Sequence, residues 1–339
     1  MTLEQGTANP VALKDPQRYF TEIDRLTEEN LAKRDPHNER RLLKLRHRAG
    51  IALQHQAREV PPFPEPAFDA LPGDGLPEVS AEELTPELLR AAILRNGALL
   101  IRGLIDRDRA EELIEETDRA FEARDKRDAG VERPPAYYEE FGPDPPYELA
   151  ERVWVTDASG LWLADSPKLM FEFAQTLDRT GLREVATGYL GERPTISINK
   201  CTLRKVRPDV VKGHTGISWH QDGAFLGDVR ALNVWLTLSH CGDTAPGLDI
   251  VPKRIDRVVP TGTEGAAFDW SVSPAAVEEA AEGVAVQRPI FEPGDVMLFD
   301  ELFLHATGAD IDMPNTRYAI ESWFFGPSKF PEGYAPVAF

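Results

Sequence analysis

Thr195-Ile196-Ser197-Ile198-Asn199-Lys200-Cys201-Thr202-Leu203-Arg204-Lys205-Val206 is the stretch at which the chain changes period. Before it, apolar residues recur three and four apart, as on one face of a helix. From Thr195 they recur every second residue, as on a strand. Further candidate strands lie at 216–221, 231–239, 248–252, 284–291, 295–300 and 317–325. They are rich in Val, Ile, Leu, Trp and Phe and are parted by turns such as Glu292-Pro293-Gly294-Asp295. Many short strands after a helical N-terminal half predict a mainly β core with flanking helices, a sandwich or jelly roll. In the opening strand a period of two puts Ile196, Ile198, Lys200 and Thr202 on one face, and a slip of one residue would exchange the faces.

Upstream, residues 1–58 read as helical. Asp15-Pro16 supplies a cap and a proline at the first helical position, and Phe20, Ile23, Leu26 and Leu31 follow at roughly helical spacing. A second helix at about 37–58 has Leu42, Leu45, Ala49, Ala52 and Leu53 on one side and Arg40, Arg41, Lys44, Arg46 and Arg48 on the other. That basic side reads as a solvated face before it reads as a surface for an anionic partner. Residues 60–78 are dense in proline, which suits an extended wrap. Thr85-Pro86 opens a helix closed by Asn96-Gly97, Ala98–Arg102 reads as a short buried strand, and Asp106 caps the next helix. Two more helices are expected at about 166–178 and 180–190. The expected division is a helical extension with a proline-rich wrap over 1–78 and one domain over 79–339. That domain has a helical lead-in (79–193) and core strands (195–325).

The 339 residues are 42% hydrophobic, a globular composition with ample core. A formal charge of −19 argues against nucleic-acid binding, which needs a basic face. No apolar run is long enough to span a membrane, and Met1-Thr2-Leu3-Glu4-Gln5 has no signal-like pattern. Two cysteines, Cys201 and Cys241, give neither a disulfide framework nor a Cys-based zinc site, and a cytoplasmic setting is expected. Oligomeric state is open between monomer and homodimer.

His220-Gln221-Asp222 ends the candidate strand at 216–221. In an extended chain residues i and i+2 project to one side, so an imidazole and a carboxylate can bind one ion. An isolated His-x-Asp is common as a surface turn. Here Gly294-Asp295-Val296-Met297-Leu298-Phe299-Asp300 reads as a turn and strand leading to His305, a possible third ligand. Two histidines and a carboxylate with open positions form the facial triad of non-haem iron(II) oxygenases. Arg317 opens the apolar run to Phe325. An inward arginine there needs an anionic partner, a ligand carboxylate held bidentately; the plainer readings are a salt bridge to a carboxylate of the protein or an exposed strand end. His37, His47 and His55 lie in the N-terminal helices with nothing site-like nearby, while His214 and His240 are spare candidates.

Taken in order, His220-Gln221-Asp222, Val234-Trp235-Leu236, Gly247-Leu248-Asp249-Ile250-Val251-Pro252, Gly294–Phe299, His305-Ala306-Thr307-Gly308 and Arg317 resemble the phytanoyl-CoA dioxygenase family over roughly residues 85–325. The resemblance implies a double-stranded β-helix (jelly roll, cupin-like) and an oxygenase using Fe(II), 2-oxoglutarate and O₂. It implies His220, Asp222 and His305 as iron ligands, Arg317 on the distal carboxylate of 2-oxoglutarate, Thr307 near that end, and Trp235 flanking the cosubstrate. Lys200 and Thr202 would line the same pocket. Because Asp222 supplies the carboxylate that related halogenases lack, the implied reaction is hydroxylation of a small metabolite or natural-product intermediate. Desaturation, cyclisation and epimerisation use the same site. A cupin-like metal isomerase or hydrolase without 2-oxoglutarate, and a non-catalytic binding sandwich, are the rival classes. Pro252-Lys253-Arg254 and the Ala- and Glu-rich insert 260–283 depart from the family pattern where substrate-covering loops are expected. Arg204, Lys205, Arg207 and Lys212 suggest an anionic substrate, or else a solvated loop.

Overall fold

The computed structural model describes residues 15–57, 59–73, 75–131, 136–209 and 218–339. Helices α1 (Pro16–Ala32) and α2 (Pro36–Gln56) each start at an Asp-Pro pair. The Asp15 and Asp35 carboxylates accept the N–H two residues on, and proline takes the first helical position. The two helices pack on the body of their own chain. Buried His47 donates from Nδ1 to the Pro336 carbonyl at 2.7 Å, and its Nε2 accepts the Asp144 N–H at 2.9 Å. The basic face of α2 is laced by ion pairs, Arg41 to Glu22 and both Lys44 and Arg48 to Asp144. Those residues make a solvated face, but Arg46 departs from the expectation: it is buried and donates from Nη1 to the Ala338 carbonyl at 3.2 Å.

Strand β1 (Glu78–Ser80) ends the proline-rich stretch and pairs in parallel with β2 (Ala98–Arg102). Between them runs α3 (Pro86–Asn96), capped by Thr85 and stopped by Gly97. Gly97 has φ +82°, and a Cβ there would meet the Phe303 ring at 2.7 Å, so glycine is required twice over. Then follow α4 (Arg107–Asp128), capped by Asp106, α5 (Val153–Asp157), β3 (Gly160–Trp162), α6 (Pro167–Arg179) and α7 (Leu182–Leu190). The rest comprises β4 (Thr195–Val206), α8 (Gly223–Leu226), β5 (Ala231–Thr237), β6 (Gly247–Ile250), α9 (Pro274–Ala281), β7 (Val296–Phe299), β8 (His305–Gly308), β9 (Arg317–Phe325) and β10 (Pro336–Ala338). Among the described residues no helix is long and apolar enough to cross a membrane.

The β pairings are nested. β4 pairs with β9, His220 bridges His305, β5 pairs with β7, and Ile250 bridges Gln287, all antiparallel. Each pair lies inside the one before it in sequence, which is a long hairpin. That hairpin is rolled up, because β9 also lies beside β5 and β8 beside β6. One sheet results, in the order β1-β2-β7-β5-β9-β4-β10 with β3 also on β4. A second, shorter sheet is built on β6 and β8. This is a double-stranded β-helix with helices outside, the jelly roll expected from the sequence.

Both faces of the large sheet are covered. Leu232, Val234, Leu236, Leu298 and Ile320 pack outward with Leu89, Ile93, Phe173 and Tyr189 of the helices. Trp235, Met297, Phe299, Trp323 and Phe325 pack inward, between the sheets. All of β5 is therefore buried, and its apolar run shows no polar alternation.

Three strand expectations change. The 284–291 segment forms only single bridges at Gln287 and Phe291, because Pro289 lacks the N–H a ladder needs. The 216–221 strand reduces to the bridge at His220, with Gly216 and Ile217 outside the described residues. In β4 the register shifts between Ile196 and Cys201. Ile196, Ile198, Cys201 and Leu203 face the helices, while Lys200 and Arg204 face the opposite side, into a cavity. The bulge thus separates Lys200 and Thr202 from Ile196 and Ile198, which a strict period of two groups with them.

Candidate functional site

The His220–His305 bridge is made by main chain. His220 N–H donates to His305 O at 2.9 Å, and His305 N–H donates to His220 O at 3.1 Å. This pairing sets two imidazoles side by side, with ring centroids 4.4 Å apart. Asp222, two residues after His220, turns its carboxylate to the same point. One ligand atom from each of His220, Asp222 and His305 lies within 4.8 Å of the others.

The tautomers are fixed from behind. His220 Nδ1 is 2.9 Å from the Ser218 carbonyl, and His305 Nδ1 is 3.0 Å from the Phe303 carbonyl. A carbonyl only accepts, so each Nδ1 carries the proton and each Nε2 lone pair is left for a ligand. Burial, then the neighbouring His220, pushes His305 down to about 4, so it is neutral at pH 7. Burial pushes the Asp222 carboxyl up, but the neighbouring positive charge, Lys200 foremost, outweighs it, and the group sits below its ordinary value. Two imidazoles with free Nε2 lone pairs and one carboxylate, with further positions open, suit a divalent transition metal such as iron(II).

Gln221 between His220 and Asp222 is fully buried, and its signal in the sequence is only its place in the motif. Its Nε2 donates to Leu302 O at 2.5 Å and to Arg257 O at 3.2 Å. Its Oε1 accepts the Val259 N–H at 2.7 Å. One carboxamide thereby ties the His220–Asp222 turn to the loop before His305 and to the root of the 260–283 insert. Gln221→Leu leaves two carbonyls and an amide unpaired in the interior. The expected cost is about 3 kcal/mol in a denaturant melt, together with a loss of metal affinity on the order of tenfold to a hundredfold in an anaerobic titration.

The donor set opens on a cavity of about 580 Å³. Trp235, Thr307, Lys200 and Arg317 all line it, as does Arg204. Lys200 Nζ lies 3.3 Å from Asp222 Oδ1 and 4.0 Å above the Phe225 ring. Thr202 lies between Lys200 and Arg204 on β4, with its buried hydroxyl unpartnered, but it is not among the lining residues.

Among the described residues Arg46, Arg230 and Arg317 are buried arginines with no ion pair, and of the three Arg317 lines the cavity. It is 1% exposed, and no carboxylate among the described residues comes within ion-pair distance. Its Nη1 donates to Gly247 O at 2.9 Å, Cζ stands 5.4 Å from the Trp235 ring centre, and Nε has no partner. Burial first, and Arg204 second, lowers it to about 10, so it stays charged at neutral pH. A buried, charged, half-satisfied guanidinium beside a cavity calls for an anion in that cavity.

The basic run suggested for an anionic substrate divides. Arg204 faces the cavity at 3.8 Å from Glu321, whereas Lys205 turns to Asp118 at 2.7 Å and Arg207 pairs with Asp209. Lys212 and His214 lie outside the described residues. His240 pairs with Asp243 and Glu292, away from the cavity. Sequence reading missed Trp154, Phe225, Phe268, Trp270 and Glu321 on the cavity wall. They come from four separate segments, and only the fold brings them together.

No family model and no curated protein matches the chain. Among solved structures, EctD from S. alaskensis is similar with a TM-score of 0.48 and 18% identity, over 71% of this chain and 77% of that one. It has also been solved with bound Fe, and with 2-oxoglutarate and 5-hydroxyectoine. AviO1 from Streptomyces viridochromogenes Tue57 gives 0.45 and 15% over 72% and 96%. SnoK, a non-heme alpha-ketoglutarate-dependent carbocyclase from nogalamycin biosynthesis, gives 0.48 and 14% over 78% and 100%. These are distant likenesses, and the functional reading of this chain rests on its own strand pairing and its own side chains.

Proposed function

We propose that this chain is an iron(II)- and 2-oxoglutarate-dependent oxygenase acting on a small molecule, with hydroxylation of an unactivated C–H bond as its reaction. The single observation that carries the reading is the meeting, in one cavity, of the His220/Asp222/His305 donor set and the unpaired guanidinium of Arg317. A metal-only isomerase or hydrolase explains the first feature and leaves the second without a role.

His220 and His305 offer Nε2, and Asp222 a carboxylate oxygen, to the iron. Bound there, iron(II) supplies O₂ activation coupled to oxidative decarboxylation of 2-oxoglutarate. Arg317 would hold the distal carboxylate of that cosubstrate, which would give its buried Nε an acceptor. Thr307 donates near the same end, and Trp235 closes the side of the slot under the guanidinium. Lys200 restrains Asp222 through one oxygen, leaving the other for the metal. Asp222 occupies the position that a halide-binding site would need free, which favours hydroxylation over chlorination. Epimerisation and ring closure, the latter known for SnoK, use the same parts and form the alternative outcome.

The test is succinate release. Purified protein supplied with 2-oxoglutarate under air is expected to form succinate only when Fe(II) is added, at a slow uncoupled rate without substrate. Tight Fe(II) binding with no succinate would instead support the metal isomerase or hydrolase.

A further inference from the structure

Among the described residues four aromatic side chains are exposed, Phe68, Trp154, Phe225 and Trp270. All but Phe68 line the one cavity that holds the donor set. Trp154 is the extreme case at 71% exposed. Exposed apolar surface gathered at one mouth marks a binding surface rather than chance scatter. Distance in sequence strengthens the point, since Trp154 belongs to α5 in the helical half, Phe225 to α8 after the metal turn, and Trp270 to the insert before α9.

The insert tip is held in place. Val272 N–H donates to Trp219 O at 2.8 Å, Gly262 N–H to Ser271 O at 2.9 Å, and Ser271 Oγ accepts the Phe268 N–H at 2.9 Å. On that frame Phe268 and Trp270 stack in parallel, 5.2 Å between centres and 1° between planes, and Trp270 stands edge-on to His220 at 5.8 Å. A rigid aromatic wall so close to a metal ligand is preorganised for a flat ring, which gains most from stacking and loses little freedom on binding. A flexible chain would lose far more.

Polarity adds one handle. Lys200 is engaged with Asp222, and Arg204 with Glu321 only at 3.8 Å, so Arg204 Nε is buried without a hydrogen bond. That donor asks for an acceptor oxygen, not for a full negative charge, because Glu321 already balances it.

We propose that the substrate is a flat, fused or conjugated ring system bearing a carbonyl or hydroxyl oxygen, stacked in the mouth formed by Trp154, Phe225, Phe268 and Trp270 with its oxygen toward Arg204. This rests on the oxygenase reading and names the substrate class of that same site.

The probe is 1-hydroxyanthraquinone, measured by equilibrium dialysis against the Fe(II)- and 2-oxoglutarate-loaded protein without oxygen. Tetradecanol and tetradecyl phosphate serve as chain comparators and anthracene as the ring without oxygen. The ring ketone is expected to bind at least about tenfold more tightly than either chain. Trp154→Ala and Trp270→Ala are each expected to weaken it about tenfold, Trp154→Phe and Trp270→Phe to retain most of the affinity, and Arg204→Met to bring it down to that of anthracene. Chains binding as tightly as the ring ketone, or alanine variants binding it as the parent does, overturn the proposal. Tight binding of the phosphate alone restores the anionic substrate. Fe(II) binding and succinate release, measured on the same preparation, keep the two readings apart. If both persist while ring binding is absent, only the substrate class falls; ring binding without them sinks the oxygenase reading.

Discussion

His305→Ala is expected to lower Fe(II) affinity at least about a hundredfold and to bring succinate release to background. Loss of residues that merely support metal ligands already costs roughly tenfold to a hundredfold, and His305 is a ligand in this reading. The fold should survive the change. Strand β8 is held to residue 220 by two main-chain hydrogen bonds that alanine keeps. A pH series on the metal-free protein checks this and probes the same residue. His305 is held near 4 in the folded chain, while an unfolded imidazole takes up its proton near about 6.5. The unfolded state therefore binds more protons between those values, so the native protein loses stability as pH falls from about 6.5 to about 4, by about 3 kcal/mol from this group. His305→Ala removes that slope. His240→Ala, on the surface outside the cavity, should leave metal binding unchanged. Unaltered Fe(II) affinity in the His305 variant would end the metal assignment.

How much of the fold and of the site is legible in the sequence depends on how local each signal is. The caps at Asp15, Asp35, Thr85 and Asp106 are decided by a few neighbouring residues, and helices begin at all four. Asp35-Pro36 repeats the Asp15-Pro16 pattern, a signal that the expected start at about residue 37 passes over. Strands β4 and β9 are readable to the residue because each is long and bounded by turn residues. The bulge in β4 is not readable, since it depends on the register against β9, more than a hundred positions away. The second sheet is only partly readable. Its pairs are so short that β8 has four residues and Gln287 contributes one bridge, and no period can be counted over such lengths. The donor set of His220, Asp222 and His305 stands out because two of its members lie two residues apart in the chain and the third follows a recognisable turn. The aromatic mouth is invisible for the opposite reason. Its members share no spacing, and exposure at a cavity rim is a property of the folded surface alone.

Arg317→Met separates the cosubstrate from the metal. The variant is expected to bind Fe(II) as the parent does, because Arg317 is not one of the three clustered donors. Its KM for 2-oxoglutarate should rise at least about thirtyfold. Truncating one partner of a buried, hydrogen-bonded charge pair costs roughly 2–5 kcal/mol, and about 1.4 kcal/mol is tenfold. Stability should move the other way. In the ligand-free chain the guanidinium is 1% exposed, its Nε is unpaired, and burial lowers its pKa to about 10, so it is a desolvated charge without a counterion. Methionine fills similar space without that charge, so the ligand-free variant should be as stable as the parent or more so, by up to about 2 kcal/mol. With both proteins already loaded with metal, added 2-oxoglutarate should raise the parent's melting temperature further and leave that of the variant nearly unmoved, since only a ligand that binds the native state stabilises it. Arg317→Lys, a point charge without the planar fork, should fall between the two. An arginine serving only the architecture would show the reverse, with stability lost on substitution and KM intact. If KM and Fe(II) affinity instead collapsed together, Arg317 would belong to the frame of the metal site, and the case for 2-oxoglutarate would lose the observation that carries it.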